Sequence, residues 1–125
     1  MKVLLFRIYG IMYAKKMIGL KIKRGLVNDM IRHICMFKLK EEGREAALKE
    51  ALERVQTLKD IPGLQRFEVV TNSKEAPESN YEISLIFDFN SIEDLNSYQK
   101  DPRHVAFGDF IKSVRTDRAC IDYEF

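Results

Sequence analysis

The chain has 125 residues, of which 46% are hydrophobic and 32% charged, with six glycines, three prolines and two cysteines. At this length a folded chain buries roughly two-thirds of the surface that its unfolded form exposes, so one domain with its own core is expected. The composition excludes collagen-like, low-complexity and disulfide-scaffold classes. No apolar run reaches the ~18 to 20 residues that span a bilayer, because Arg7, Lys15 and Lys16 interrupt the most hydrophobic stretch.

The formal net charge of +2 conceals two segments of opposite character. Residues 1–29 carry seven basic groups and one acidic group, whereas residues 30–125 carry 14 basic and 18 acidic groups. This asymmetry predicts a boundary near Asp29, with a basic N-terminal extension before a domain at residues 30–125. Three interpretations of the extension remain open: an amphipathic helix on a membrane or partner, a targeting or disordered leader, or upstream sequence read from too early a start. The last is preferred because a self-contained domain begins at Met30.

Hydrophobic periodicity predicts the elements of this domain in chain order. They are a strand at residues 30–40, a helix at 44–59, strands at 64–71 and 81–90, a short helix before Pro102, a helix from Pro102 to about Val114, and a strand at 119–125. Ser91 and Asp101 are the expected N-caps of the last two helices, and Pro102 suits a first helical position because it lacks an N–H.

This order predicts an α+β, ferredoxin-like fold (βαββαβ), an antiparallel sheet with helices on one face. The first strand, however, is apolar on both faces. The face without helices is therefore expected to pack against a second copy of the chain. The result would be a homodimer, a dimeric α+β barrel, with a cavity between the two sheets.

Three stretches carry a resemblance to a known family: MIRHICMFKLKEE in the first strand, IPGL after the first helix, and YQKDPRHVAFGDFIKSV before the last strand. With these motifs the sequence resembles the stress-responsive A/B barrel (Dabb) family of dimeric α+β barrels, over residues 30–125. The resemblance implies the fold and the dimer but no single activity. Some relatives resemble polyketide cyclases, in which a Tyr and a His beside the cavity promote an aldol condensation without a cofactor.

The resemblance implies catalytic roles for Tyr98 and His104. His104 shares an inward stripe with Phe107 and Ile111, and the positive end of its helix favours the neutral imidazole that a general base requires. Tyr98 would donate a hydrogen bond to a substrate oxygen as negative charge develops there. The alternative is structural: a buried His104 bonded to backbone or to Asp101, and a Tyr98 that belongs to the core.

Five further residues are expected to line a ligand-binding cavity: His33, Cys35, Phe37, Glu82 and Ser84. Glu82 and Ser84 occupy positions where the cyclase-like members carry a His and an apolar residue. Glu82 is expected either to be solvated or to pair with His33 across the cavity.

The two cysteines and two acidic residues complete the candidate chemistry. Cys35 and Cys120 fall on neighbouring strands and are expected to be reduced thiols. Asp109 and Asp122 are too scattered to define a cation site. No metal and no other cofactor is predicted.

These observations predict a cytoplasmic homodimer that binds a small, partly apolar ligand and catalyses proton transfer of a cyclase or lyase type. The alternative is a non-catalytic ligand-binding or stress-protective module, and a cofactorless monooxygenase is a third possibility. The net charge of −4 over residues 30–125 argues against nucleic acid as a partner. A membrane partner is expected only if residues 1–29 are a genuine leader.

Overall fold

The computed structural model describes residues 30–125, so the predictions for residues 1–29 lie outside the described residues. Ile31–Tyr123 form one compact unit, which holds the candidate site described below. None of the helices formed by the described residues has the length and apolar character that crossing a bilayer requires.

The described residues form four strands and three α-helices. They are β1 (Ile31–Leu39), α1 (Arg44–Arg54) followed by a 3-10 turn (Val55–Leu58), β2 (Leu64–Thr71), β3 (Ile83–Phe89), α2 (Ile92–Lys100), α3 (Pro102–Val114) and β4 (Arg115–Glu124). The strands form one sheet in the order β2-β3-β1-β4, in which β3 pairs antiparallel with both β1 and β2. The predicted α+β, ferredoxin-like fold is therefore confirmed.

Both predicted N-caps are confirmed. The Asp94 N–H donates to Ser91 Oγ at 3.1 Å, and the Arg103 N–H donates to Asp101 Oδ1 at 2.9 Å. Each bond satisfies one of the N–H groups that a helix leaves unpaired in its first turn. Pro102 occupies the first turn of α3, as expected.

The last strand begins four residues earlier than predicted. The helix α3 passes directly into β4 at Arg115, and the Lys40 N–H donates to the Val114 carbonyl at 2.8 Å. This bond ties the end of α3 to the end of β1. Residues 115–118 are mostly polar and exposed, yet they form the first part of this strand.

Alternate side chains on β1 and β3 face the helices. On this side Phe37 contacts Phe107 at 6.4 Å between ring centroids, and Phe87 contacts Tyr98 at 6.0 Å. Phe87 is fully buried and stacks on Phe67 of β2. The core therefore lies between the sheet and the helix layer, and residues of opposite parity occupy the other face of the sheet.

The expectation of reduced thiols is wrong. Cys35 on β1 and Cys120 on β4 form a disulfide, with their Cα atoms 4.2 Å apart. The two residues lie directly opposite each other on neighbouring strands and on the same face. Sequence alone placed them on adjacent strands but did not determine the register that brings them face to face.

Candidate functional site

A pocket of about 410 Å³ opens between the sheet and the helices of a single chain. Its walls include His33 and Phe37 of β1, Tyr98 of α2, His104 of α3 and Arg118 of β4. The ligand cavity was expected between the sheets of two chains, but these residues instead surround a pocket within one chain. The reason is that the buried face of β1, which carries His33, Cys35 and Phe37, turns toward the helices.

Tyr98 forms the floor of this pocket and is 1% exposed. Its ring lies 5.0 Å from the ring of Phe89 and 4.6 Å from that of His104, centroid to centroid. Burial raises the pKa of the Tyr98 hydroxyl far above its ordinary value of 10.0, because a phenolate would lose its hydration there. Tyr98 is therefore a neutral group that can donate a hydrogen bond.

His104 is partly buried, and its Nδ1 lies 3.0 Å from the Gln99 carbonyl oxygen. A carbonyl oxygen only accepts, so Nδ1 carries the proton and Nε2 keeps the lone pair in the neutral ring. Burial lowers the pKa of His104 below its ordinary value of 6.5; the Gln99 bond opposes this shift, and the charge of Arg118 adds to it. At neutral pH the ring is an uncharged proton acceptor.

His33 is 4% exposed, and its ring centroid lies 6.1 Å from that of Tyr98. Its Nδ1 lies 2.5 Å from Asp122 Oδ1 on β4. The predicted alternative of a His33–Glu82 pair is therefore wrong: Asp122, which sequence analysis treated as an isolated carboxylate, is the acidic partner. The contact fixes the orientation of the imidazole in the wall of the pocket.

Glu82 and Ser84 lie outside this pocket. Ser84 pairs with Met36 across β1 and β3, on the face opposite to His33, and lines a separate hollow with Val70. The expectation that the two residues share the cavity of His33 is wrong, because their strand parity places them on the sheet's other side.

The Glu82 carboxylate instead joins β3 to the end of β1. Its Oε1 accepts from the Leu39 N–H at 2.7 Å, its Oε2 accepts from Lys38 Nζ at 2.9 Å, and Arg44 Nη1 lies 3.4 Å away. Burial alone would raise the pKa of this carboxyl, but these three partners together hold it below its ordinary value. Glu82 is thus an ionised structural link.

Three basic residues at the pocket were missed by the sequence analysis: Lys112, Arg115 and Arg118. Lys112 stands in the last turn of α3, and the two arginines stand at the start of β4. The two arginines were missed because β4 was predicted to begin four residues too late, at residue 119. Their close spacing in the sequence could have indicated a basic site. Asp109 is the acidic residue of the same wall, so positive charge prevails there.

One cluster has the composition of a metal site. A ring nitrogen of His33 and the sulfur atoms of Cys35 and Cys120 lie within 4.8 Å of one another. Cys35 also lines the pocket, as predicted from its face of β1, and in the structure its sulfur is joined to that of Cys120.

Solved structures share this fold. A dimeric protein of unknown function with a ferredoxin-like fold from Bacteroides fragilis NCTC 9343 is 29% identical, with a TM-score of 0.69 over 78% of this chain and 97% of the other. A Dabb family protein from Mesorhizobium loti MAFF303099 is 28% identical, with a TM-score of 0.64 over 75% and 94%. A hydroxynitrile lyase from Passiflora edulis, 16% identical, has a TM-score of 0.67 over 78% and 94% and shares the fold alone.

No curated protein matches the sequence. The family model described as the stress responsive A/B barrel domain matches residues 31–125, a range that includes all the strands and helices described above. The resemblance recognised in the sequence is confirmed, and the chain belongs to the stress-responsive A/B barrel (Dabb) family.

Proposed function

We propose that this chain is a homodimeric enzyme that removes a proton from a carbon next to a carbonyl group of a small, partly apolar substrate. The observation that carries the proposal is the hydrogen bond between His104 Nδ1 and the Gln99 carbonyl oxygen. It assigns the proton to Nδ1 and leaves Nε2 as the acceptor.

The second group is Tyr98, next to His104. When a base removes the proton, negative charge develops on the carbonyl oxygen, and a neutral donor in a dry pocket stabilises it. The buried Tyr98 hydroxyl is such a donor, because its raised pKa keeps it protonated. One neutral acceptor and one neutral donor therefore stand side by side, with ring centroids 4.6 Å apart. Together they provide both parts of an enolisation.

The charged side chains at the pocket indicate the charge of the substrate. Lys112, Arg115 and Arg118 face a single acidic side chain, Asp109, among the described residues of the lining. Phe37 and Phe107 supply apolar surface in the same space. The proposed substrate class is a carbonyl compound with an apolar body and a carboxylate or similar anionic end.

The homodimer is proposed from the face of the sheet that lacks helices among the described residues. Ile34 and Ile86 are paired in its centre, and Ile121 near its edge is 60% exposed. Asp88 accepts two hydrogen bonds from Arg32, at 2.8 and 2.9 Å, so burying this pair leaves no unpaired charge. The similar protein from Bacteroides fragilis is dimeric, which supports a homodimer here.

The test measures deuterium uptake from D2O at the carbon next to the carbonyl, by proton NMR, for a panel of α-keto and β-keto carboxylates. The proposal expects at least one compound to exchange faster with the full chain than in buffer. His104→Ala should return exchange to the buffer rate while size-exclusion chromatography still shows the dimer. Ser113→Ala, on the same helix and outside the pocket, is the matched control and should exchange like the wild type.

An unchanged rate in His104→Ala would overturn the mechanism. If no member of the panel exchanges, the alternative of a non-catalytic ligand-binding module is favoured, and the same variants then affect stability and ligand affinity only. The cytoplasmic location stays a prediction. A reducing compartment would expose the Cys35–Cys120 disulfide to cellular dithiol reductants.

A further inference from the structure

A cross-strand cluster of nitrogen and sulfur donors lies beside the pocket, apart from His104. Cys35 and His33 are two residues apart on the same face of β1, and the Cα atom of Cys120 on the neighbouring strand β4 lies 4.2 Å from that of Cys35. The two sulfur atoms and a ring nitrogen of His33 are all within 4.8 Å of one another. Two paired strands hold these three donors in place without any loop.

We propose that the reduced form of this cluster binds a zinc ion through Cys35, Cys120 and His33. Zinc takes thiolate sulfur at about 2.3 Å and imidazole nitrogen at about 2.0 to 2.1 Å, which places neighbouring donors roughly 3.5 Å apart in a tetrahedron. The three donors already lie within 4.8 Å of one another, close to this spacing.

Asp122 gives a second reason to expect a metal ion here. Its carboxylate lies 2.5 Å from Nδ1 of His33. With Nδ1 bonded to Asp122, Nε2 is the proposed zinc ligand, and a carboxylate on the other ring nitrogen orients a histidine ligand of zinc and increases its basicity. Asp122 also adds negative charge beside the site, which favours a divalent cation.

The oxidised and reduced forms differ in their capacity to bind the metal. In the disulfide each sulfur is bonded to the other, and neither is the thiolate that zinc requires. A dithiol reductant transfers two electrons and two protons to the disulfide and becomes a disulfide itself, which leaves two thiols in the protein. Zinc then displaces the two thiol protons to solvent as it binds.

The positions of the three ligands suit alternation between the disulfide form and the reduced, zinc-bound form. His33 and Cys35 are 4% and 3% exposed, so the two ligands from β1 are shielded. Cys120 is exposed on the edge strand, where a reductant and a metal ion can reach it. Three protein ligands leave the fourth position of zinc for water or a substrate atom, as in catalytic rather than structural sites.

The experiment uses the full chain, reduced with a phosphine, freed of reductant under argon and titrated with Co²⁺ as a spectroscopic probe for zinc. The reduced protein is expected to develop sulfur-to-cobalt charge-transfer absorption and tetrahedral d–d bands that saturate at one equivalent and disappear when Zn²⁺ is added. The oxidised protein should show neither. The cobalt absorption does not depend on the proposed carbonyl chemistry. A negative result would therefore overturn the zinc site without bearing on the proposed enzymatic function.

Variants identify the ligands. Cys120→Ser, at an exposed position, should retain the fold and lose most of the charge-transfer intensity, and His33→Gln should weaken binding by at least tenfold. Asp60→Asn, which removes an exposed carboxylate outside both the pocket and the cluster, is the control and should bind the metal like the wild type. No charge-transfer absorption in the reduced wild type, or unchanged absorption in Cys120→Ser, would overturn the proposal.

Discussion

The rings of Tyr98 and His104 lie 4.6 Å apart, centroid to centroid, because α2 ends at Lys100 and α3 begins at Pro102. Asp101 alone connects the two helices, and its side chain caps the second of them. A one-residue junction leaves the two helices little freedom to change their relative orientation. It holds two polar side chains from different helices against the same pocket.

Replacing Tyr98 with Phe separates the role of the hydroxyl from that of the ring. The ring contacts with Phe89 and His104 are kept, so the melting temperature should change little. If the hydroxyl stabilises negative charge on the substrate oxygen, kcat should fall about 100-fold with a small change in KM. Steady-state kinetics on the substrate identified by deuterium exchange measure both constants. A wild-type kcat would show that Tyr98 is only a core residue.

The pH dependence of activity should follow the protonation of His104. Its pKa is held below 6.5 mainly by burial, so the neutral ring is the major form at pH 6.5 and its fraction rises further toward neutral pH. We expect kcat/KM to follow the neutral fraction of His104, falling on acidification with a midpoint below pH 6.5. An acidic limb centred above pH 6.5 would contradict this assignment. The dimer should be checked by size at each pH so that unfolding is not mistaken for titration.

Removing a charge from the pocket tests the proposed anionic end of the substrate. Arg118→Gln should raise KM for a carboxylate substrate about tenfold and leave its neutral amide analogue unaffected. Arg66→Gln, which removes an exposed arginine on β2 far from the pocket, is the matched control. Equal effects of Arg118→Gln on both substrates would show that the arginine does not contact the anionic group.

The local structure was predictable because its determinants are local. Ser91 and Asp101 act as caps within three residues of the groups that they bind, and β2 occupies the predicted residues 64–71. Helical and strand periodicities are read from neighbouring residues in the same way. These features need no knowledge of which strands pair.

The site was less predictable because its contacts join distant parts of the chain. The pairs His33–Asp122 and Cys35–Cys120 depend on the register between β1 and β4, which spacing does not encode. The face of β1 that meets the helices was equally uncertain, because Ile34 and Met36 make the opposite face apolar too. Glu82 and Ser84 were therefore assigned to the wrong cavity.

Glu82→Gln should destabilise the fold without affecting the pocket. The carboxylate is paired with Lys38, Arg44 and the Leu39 N–H, and its side chain is 11% exposed. An amide leaves these donors partly unpaired, so the free energy of unfolding should fall by about 2 kcal/mol in urea titrations at neutral pH.

The stabilisation that the Glu82 carboxylate contributes should be lost in acid. The folded pKa of Glu82 is lower than its ordinary value of 4.5, so the stabilisation is complete above that value and is lost as the pH falls through the folded pKa. The stabilities of wild type and Glu82→Gln should therefore converge at low pH. A constant difference down to acid pH would assign the loss to packing rather than to charge.

Ile34→Glu should disrupt the proposed dimer. Ile34 pairs with Ile86 at the centre of the sheet face that carries no helix among residues 30–125, so a carboxylate there would be buried without a partner in the dimer. Analytical ultracentrifugation should show a folded monomer or a dimer weakened by at least 100-fold. Ile92→Glu, which changes a 47% exposed residue at the start of α2, is the matched control and should remain dimeric. A wild-type chain that stays monomeric at high concentration, or an Ile34→Glu variant that dimerises normally, would show that this face is not the interface.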